Sequence, residues 1–225
     1  MATLYHMHIK NIPRYIKELP SYVRGVAPAV TVWGDHMRVP FPEFRSICQR
    51  GYIDGGEVDV YACLNANITD KDIFFDIGAN AGFYSLLANH KGAEVHAFEP
   101  FPKAFALLKQ NERGNIHSHQ LALSDKAGTV YMEEGVRLGL SRVSDTGTVA
   151  VEAITLDTFP VIPTIMKVDA EGSDLRIFKG GEQMLRQHKP KIVAEGSPEA
   201  IAFLESLGYK ATLLGSAHSG NHFFQ

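Results

Sequence analysis

The chain has 225 residues, of which 45% are hydrophobic and 21% are charged, and these proportions are ordinary for a soluble globular protein. A formal net charge of −3 gives neither the basic footprint of a nucleic-acid-binding protein nor a polybasic patch for a membrane surface. The chain lacks a signal-peptide pattern and any run of about 18 apolar residues, and it has too few cysteines for a disulfide framework, so we expect a cytoplasmic protein.

The first 70 residues are expected to form a small N-terminal cap, because prolines interrupt this region and leave little room for long helices. Residues 71–225 are expected to form the main domain. The elements predicted within the cap are a short helix at 11–18, a hairpin of residues 29–33 and 36–39, a helical turn at 44–50 and a helix that opens at 55–64.

From residue 72 onward, predicted strands and helices alternate, and this order is typical of a parallel sheet with helices on both faces. We therefore predict a doubly wound α/β fold. The predicted strands are 73–77, 94–98, 116–121, 164–169, 191–194, 211–214 and 221–224, and the predicted helices are 83–89, 103–112, 174–187 and 198–206.

Residues 129–133 and 148–153 are predicted to form an antiparallel pair outside this alternation. The segment between them, 135–147, is rich in Gly and Ser, and long loops in compact domains are commonly lids or binding loops. A solvated linker is the structural alternative. If the segment is a lid, Arg137 and Arg142 could hold an anionic acceptor.

The first strand of the main domain leads into a glycine turn that has one acid before it. The apolar run Ile73–Phe75 reaches Asp76, and the turn then extends from Gly78 to Gly82. This spacing differs from the Gly-x-Gly-x-x-Gly turn that wraps a pyrophosphate. Negative charge at Asp76 would repel a pyrophosphate but suits a ligand with a sulfonium and an ammonium group, S-adenosylmethionine (SAM). Glu99 follows at the tip of the next strand. An acid in this position, about 20 residues after the glycine turn, can bind both ribose hydroxyls of a nucleoside cofactor.

Acidic residues also follow the later strands of the predicted sheet. Ligands of an open α/β sheet bind beyond the carboxyl ends of its strands. Asp169 with Glu171, and Glu195, lie at such ends, so we expect two or three carboxylates on one rim. Lys167 lies inside a predicted central strand and needs an anionic partner, because an unpaired buried charge is costly. Asp169 or an acid of a neighbouring strand would serve.

Together these motifs resemble the FkbM-type family of SAM-dependent methyltransferases. The resemblance covers the chain from about residue 50 to the C-terminus and implies a Rossmann-like, class I fold with a seven-stranded sheet. It also implies methyl transfer from SAM, usually to a hydroxyl group. At Asp174 the chain departs from the family, which tends to have a longer acid there. The residues that carry the resemblance are the segment from Arg50-Gly51-Tyr52 to Glu57, Asp76-Ile77-Gly78-Ala79-Asn80-Ala81-Gly82, Ala97-Phe98-Glu99-Pro100, Thr155-Leu156-Asp157, Lys167-Val168-Asp169-Ala170-Glu171-Gly172, Lys179-Gly180-Gly181, Lys189-Pro190 and Glu195.

The expected cofactor is therefore SAM, and the expected acceptor is a hydroxyl of a small molecule or glycan. The residues expected to bind SAM are Asp76, Gly78, Ala79, Asn80, Gly82, Phe98, Glu99, Pro100, Ala122, Leu123 and Asp169, completed by backbone amides near Gly78 and in the 122–125 turn. The expected catalytic residues are Asp169, Glu171 and Glu195, and His218 and His222 are further candidates for the proton acceptor. Asp169 with Glu195 or Asn80 could bind magnesium, but no tight ligand spacing supports such a site, and no metal-binding residue is predicted.

Structural alternatives remain for two of these acids. Glu171 could be a first-turn helix acid, and Glu195 could be an ion-pair partner of Lys167. Two other functions also remain open. A nicotinamide-dependent oxidoreductase shares the strand, turn and ribose acid but needs the missing glycine pattern, and a non-catalytic nucleotide-binding module could keep the cradle without transferring a methyl group.

Overall fold

The computed structural model describes residue 20 and residues 25–40, 57–133, 135, 142–144, 146–215 and 220–225. It divides into two compact units, Met1–Tyr52 and Ile53–Gln225. In the first unit, β1 (Val26–Val30) and β2 (His36–Pro40) form an antiparallel hairpin. The hairpin was predicted, although its first strand begins earlier than expected. The helix and the helical turn predicted at 11–18 and 44–50 lie outside the described residues.

The second unit contains two sheets and six helices among its described residues. The strands are β3 (Ile73–Ile77), β4 (Glu94–Phe98), β5 (Ile116–His119), β6 (Ala122–Leu123), β7 (Gly128–Glu133), β8 (Arg142–Val143), β9 (Val149–Ile154), β10 (Ile165–Val168), β11 (Lys191–Glu195), β12 (Ala211–Leu213) and β13 (Asn221–Phe224). The helices are α1 (Glu57–Asn67), α2 (Phe83–His90), α3 (Pro102–Asn111), α4 (Asp174–Gly180), α5 (Glu182–His188) and α6 (Pro198–Ser206).

The larger sheet has seven strands in the order β12-β13-β11-β10-β3-β4-β5. Five adjacent strands, β11, β10, β3, β4 and β5, are parallel to one another. Strand β13 pairs antiparallel with both β11 and β12. The strand order reverses between β3 and β10, and ligands of doubly wound sheets bind at such a switch point. The predicted doubly wound α/β fold and its closing antiparallel hairpin are therefore confirmed.

Strand β3 forms at the centre of this sheet because its residues tolerate burial on both faces. Phe74 and Phe75 point to opposite faces and are both fully buried. Phe75 packs with Phe98 of the neighbouring strand and with Phe178 of α4 in one continuous hydrophobic core. Helix α2 covers the other face with Leu86 and the residues around it, which are also buried. The sheet therefore holds the strand ends, and any site built on them, in a rigid frame.

A smaller sheet with the order β6-β9-β7-β8 interrupts the chain between β5 and β10. The predicted antiparallel pair is confirmed as β7 and β9. Part of the predicted lid, Arg142–Val143, is a short strand that pairs with β7. Residues 134, 136–141 and 145 of this region lie outside the described residues, so the lid itself remains a prediction.

Two element boundaries differ from the prediction for reasons that lie in tertiary packing. The single helix predicted at 174–187 is divided at Gly181 into α4 and α5. A Cβ at Gly180 would lie 2.0 Å from the backbone oxygen of Ser124, and one at Gly181 would lie 2.8 Å from Leu156. The glycine pair therefore lets two other segments approach the helix at the point where it breaks. The strand predicted to end at 121 ends at His119, because β6 begins at Ala122 in the smaller sheet.

Candidate active site

Asp76, the last but one residue of β3, lies at the bottom of the candidate site. Its side chain is 1% exposed, and its Oδ2 accepts a hydrogen bond of 2.6 Å from the Ser85 hydroxyl of α2. Its Oδ1 has no hydrogen-bond partner among the described residues. Burial raises the pKa of the Asp76 carboxyl, and the nearby cation of Lys167 opposes this shift. Asp76 is therefore a buried carboxylate that still has one acceptor atom available.

The glycine turn after β3 brings the ends of two parallel strands into contact. Gly78 has a φ of 76°, and a Cβ at this position would lie only 1.8 Å from the backbone oxygen of Asp169. Only glycine combines this backbone conformation with so close an approach. A hydrogen bond joins the same two strand ends, because the amide of Asp169 donates to the backbone oxygen of Ile77 at 3.0 Å. The residues that follow β3 and β10 therefore meet in one place.

Three backbone amides of the turn are already used within the protein. The N–H groups of Gly78 and Ala79 both donate to the oxygen of Phe98, and Asn80 donates to Glu99. This arrangement differs from the expectation that amides near Gly78 would face the ligand. Asn80 has a φ of 50°, and its side-chain Oδ1 is a second buried acceptor without a described partner. These three amides are therefore occupied, while Oδ1 of Asp76 and Oδ1 of Asn80 are buried acceptors that a ligand could satisfy.

Glu99 follows β4 and is held in a single orientation by two amides. Its Oε2 accepts from Asn80 at 2.8 Å and its Oε1 from Phe101 at 2.9 Å. The residue is 7% exposed, and burial raises the pKa of its carboxyl to about 7 although both amides oppose the shift. Each oxygen keeps a second lone pair, so the carboxylate can accept further hydrogen bonds from a pair of hydroxyl groups.

Lys167 provides the positive charge that lies among these acids. Its Nζ lies 3.0 Å from Asp169 Oδ2, as predicted, and 5.0 Å from the centre of the Tyr84 ring, while the residue is 5% exposed. Burial alone would lower the pKa of Lys167, but Asp169 and Asp76 outweigh burial and raise it. The Tyr84 hydroxyl donates to the carboxylate of Glu57 in α1. The lysine is thus a charged, buried group that connects β3, β10 and α2.

Four carboxylates follow β10 and β11 at the same edge of the sheet: Asp169, Glu171, Asp174 and Glu195. Glu195 ends β11, the strand beside β10, as expected. Burial, and then the charges of Asp169 and Glu195, raise the pKa of Glu171. Glu171 has a φ of 47°, an uncommon backbone conformation for a residue other than glycine and one that is often found at functional sites. The expected carboxylate rim is therefore present, and its members are close enough to interact electrostatically.

The remaining predicted cofactor residues line the same edge in different ways. Gly82 caps α2 with a φ of 85°, and Pro100 is partly exposed next to Glu99. The ring of Phe98 is buried and stacks on His119 at 5.0 Å, so only its backbone oxygen faces the turn. Ala122 and Leu123 are buried in β6, and the amide after them, that of Ser124, donates to the oxygen of Ile154. Phe98 therefore contributes its backbone oxygen and its packing, and the amide of Ser124 is already occupied.

Sequence reasoning missed several residues that complete the site. Ser85 and Tyr84 lie three and two residues after Gly82, so a helical turn directs them back towards β3, and this spacing was a usable signal. Asp174 was noted only as a departure from a family pattern. Of the histidines named as proton acceptors, His222 bonds the oxygen of Gly220 at 2.8 Å, and His218 lies outside the described residues.

Among the residues that the structure describes, no group of three or more His, Cys, Asp or Glu side chains is arranged to hold a metal ion. None of the helices there is both long enough and apolar enough to cross a bilayer.

A family model described as "Methyltransferase FkbM domain" matches residues 76–211. Among curated proteins, the chain is similar to the hexuronic acid methyltransferase AglP of Haloferax volcanii, with 30% identity over 135 residues that cover 56% of each chain. It is also similar to the 31-O-demethyl-FK506 methyltransferase FkbM of Streptomyces tacrolimicus, with 28% identity over 61% of this chain and 72% of that protein. The match with AglP thus spans little more than half of that relative's length.

Among solved structures, the fold is similar to that of a methyltransferase FkbM from Methylobacillus flagellatus. The TM-score is 0.53 at 19% identity, and the match covers 71% of this chain and 44% of the other. At this identity the similarity concerns the fold alone.

Proposed function

The chain belongs to the FkbM family of methyltransferases, and we propose that it transfers a methyl group from SAM to a hydroxyl group of a small molecule or glycan. The observation that carries this proposal is the acceptor-rich cradle between β3 and β4. The amides of Gly78, Ala79 and Asn80 donate within the protein, while Oδ1 of Asp76 and Oδ1 of Asn80 are buried without a described partner. Buried polar atoms without partners are rare in native proteins and call for an explanation.

A ligand that supplies hydrogen-bond donors and positive charge would satisfy these atoms. SAM fits, since its ammonium group can donate to Asp76 and its two ribose hydroxyls can donate to Glu99. The pyrophosphate of a nicotinamide dinucleotide does not fit, because it needs free amides and would meet the buried charge of Asp76. The same residues therefore favour SAM over the oxidoreductase alternative.

SAM, when bound, would supply an electrophilic methyl group that is bonded to its sulfonium sulfur. The contribution of this chain is to bind the cofactor and the acceptor, to orient them towards each other and to exclude water. The backbone contact between Gly78 and Asp169 brings the cradle and the carboxylate rim together, so a hydroxyl held on the rim is close to the cofactor. Asp169, fixed by Lys167, would face the sulfonium, and Glu171 and Glu195 would accept hydrogen bonds from the acceptor's hydroxyl groups.

The charge of the rim bears on the kind of acceptor. Asp169, Glu171 and Glu195 carry negative charge beyond the strand ends, whereas Arg142, expected to hold an anion, lies 3.9 Å from Glu133. A rim of this kind favours an uncharged acceptor with several hydroxyl groups over an anionic one. The two curated relatives are named for a hexuronic acid and for 31-O-demethyl-FK506, and an acceptor panel should therefore contain acidic and neutral alcohols.

The test is binding followed by turnover. Calorimetry should show that SAM and S-adenosylhomocysteine bind and that NAD does not. Labelled SAM should then transfer its methyl group to neutral polyols and glycans in preference to their carboxylated counterparts. Binding of NAD in place of SAM would favour the oxidoreductase, and SAM binding without transfer to any acceptor would favour a non-catalytic module.

A further inference from the structure

Asp174, the first residue of α4, is a buried carboxyl group to which no role has yet been assigned. It is 6% exposed, and its Oδ1 has no hydrogen-bond partner among the described residues. Acids in the first turn of a helix usually lie on the surface, where they interact with the helix dipole, as Glu199 of α6 does. Burial of an unsatisfied carboxyl oxygen is destabilising, so a helix-capping role alone does not explain Asp174.

The charges around Asp174 come from the two strands that form the rim. Burial, followed by the anionic Asp169 of the β10 end, raises the pKa of Asp174 to about 7, and Glu195 of β11 acts in the same direction. The backbone amide of Ala170 and the cation of Lys167 oppose the shift. A proton acceptor works best when its pKa is near the working pH. Asp174 thus combines a free buried oxygen with protonation behaviour suited to proton transfer.

The other acids of the rim are less suited to this task. Asp169 is held by an ion pair of 3.0 Å with Lys167, so its Oδ2 is already occupied. Glu171 and Glu195 are exposed, so water competes for their oxygens. Asp174 has no ion-pair partner in the described chain, and because it is only 6% exposed, water competes less for its oxygens.

We propose that Asp174 is a catalytic residue that accepts the proton of the acceptor hydroxyl. This inference rests on the proposed hydroxyl methylation. As the acceptor oxygen forms a bond to the methyl carbon, the bond between that carbon and sulfur breaks and its electron pair stays on sulfur. The hydroxyl proton moves to Oδ1 of Asp174, and the neutral carboxyl group returns it to water after the product leaves. The positive charge of the sulfonium and the negative charge of the Asp174 carboxylate are both lost in this step, so atoms and charge balance.

The test compares Asp174→Asn, which keeps the shape, with Asp157→Asn as a matched control. Asp157 lies in the short 3₁₀ helix Leu156–Thr158, and its Oδ1 accepts a hydrogen bond of 2.8 Å from the amide of Met184 in the first turn of α5, outside the rim. Asp174→Asn should lower kcat by about 10²- to 10⁴-fold, with the Kd for SAM within about twofold of the wild-type value. The rise of kcat with pH through about 7 should disappear in Asp174→Asn and persist in Asp174→Glu and in the control.

A second readout does not depend on activity. Since the folded chain binds the Asp174 proton more tightly than the unfolded chain, wild-type stability should fall as pH rises towards about 7. Asp174→Asn should show a smaller fall in urea denaturation over the same range. If Asp174→Asn keeps the wild-type kcat, or the wild-type dependence of kcat on pH, the role of Asp174 is wrong but the proposed function still stands. A wild-type protein that binds SAM but methylates no hydroxyl would overturn the proposed function, and the role of Asp174 with it.

Discussion

Replacing Glu99 with glutamine tests whether its carboxylate binds the ribose of the cofactor. The variant keeps the size of the side chain but removes its charge. Both oxygens of Glu99 are already oriented by the amides of Asn80 and Phe101, so the carboxylate is pre-organised for two further hydrogen bonds. Hydrogen bonds to a charged group contribute about 1.5–3 kcal/mol. We therefore expect the Kd for SAM to rise about ten- to a hundred-fold in Glu99→Gln.

The pH dependence of binding gives a sharper form of the same test. The pKa of Glu99 is raised by burial from its ordinary value of 4.5 to about 7, so near neutral pH the free protein carries it partly protonated. If only the ionised form accepts both hydroxyls, SAM should bind about tenfold more weakly at about pH 6 than at about pH 8, and binding at about pH 7 should release protons. The stability of the free protein should change in the opposite sense, falling as pH rises from about 4.5 to about 7.

Calorimetry in two buffers of different ionisation enthalpy measures both the Kd and the protons released. Glu94→Gln is the matched control, because Glu94 begins the same strand but lies 3.1 Å from His96 at the far end. The control should bind SAM as the wild type does, with the same pH dependence. Equal affinities for Glu99→Gln and the wild type, or an affinity that does not vary with pH in the wild type, would refute the assignment.

Three further substitutions test the frame of the site. Gly78→Ala should lower the free energy of unfolding by about 2–5 kcal/mol, because its Cβ would meet the Asp169 oxygen, whereas Gly172→Ala, which has a similar φ and open space, should lose about 1–2 kcal/mol; equal losses in denaturation would contradict the close approach. Lys167→Met should destabilise by about 3–5 kcal/mol because Asp76 stays buried without its cation, and adding Asp76→Asn should recover part of that loss. Fully additive losses would mean that the two charges do not depend on each other. Asp169→Asn should lose most methyl transfer with an unchanged circular dichroism spectrum, and wild-type turnover would assign Asp169 a structural role.

Much of the frame could be predicted because local patterns and tertiary packing agree there. Strands β3 and β4 and helix α6 have the predicted bounds, and each has a clear signal: an apolar run before an acid, or Ser197 and Pro198 at a helix start. Asp76, Glu99 and Asp169 were expected at strand ends, and parallel pairing brings those ends to one edge. The ion pair of Lys167 followed from the cost of burying a lone charge.

The rest depended on contacts between residues far apart in the sequence. The break at Gly181 reflects the approach of Leu156, which no local pattern reveals. The direction of the turn amides depends on where the oxygen of Phe98 lies, and the burial of Asp174 depends on the packing of α4 against the sheet. In both cases the residue type was visible in the sequence, but its hydrogen-bond partner or its burial was not.

The switch point between β3 and β10 has a consequence for synthesis on the ribosome. The amide of Ile73 bonds the hydroxyl of Thr164 at 3.0 Å, and the two residues are 91 positions apart. At about 5–20 residues per second, the growing chain needs about 5–18 s to reach the strand that covers the open edge of β3. During that interval the edge of β3 that pairs with β10 in the folded protein has no partner strand. We therefore expect a chain truncated before β10 to leave this edge of β3 unpaired, and an unpaired apolar edge favours aggregation.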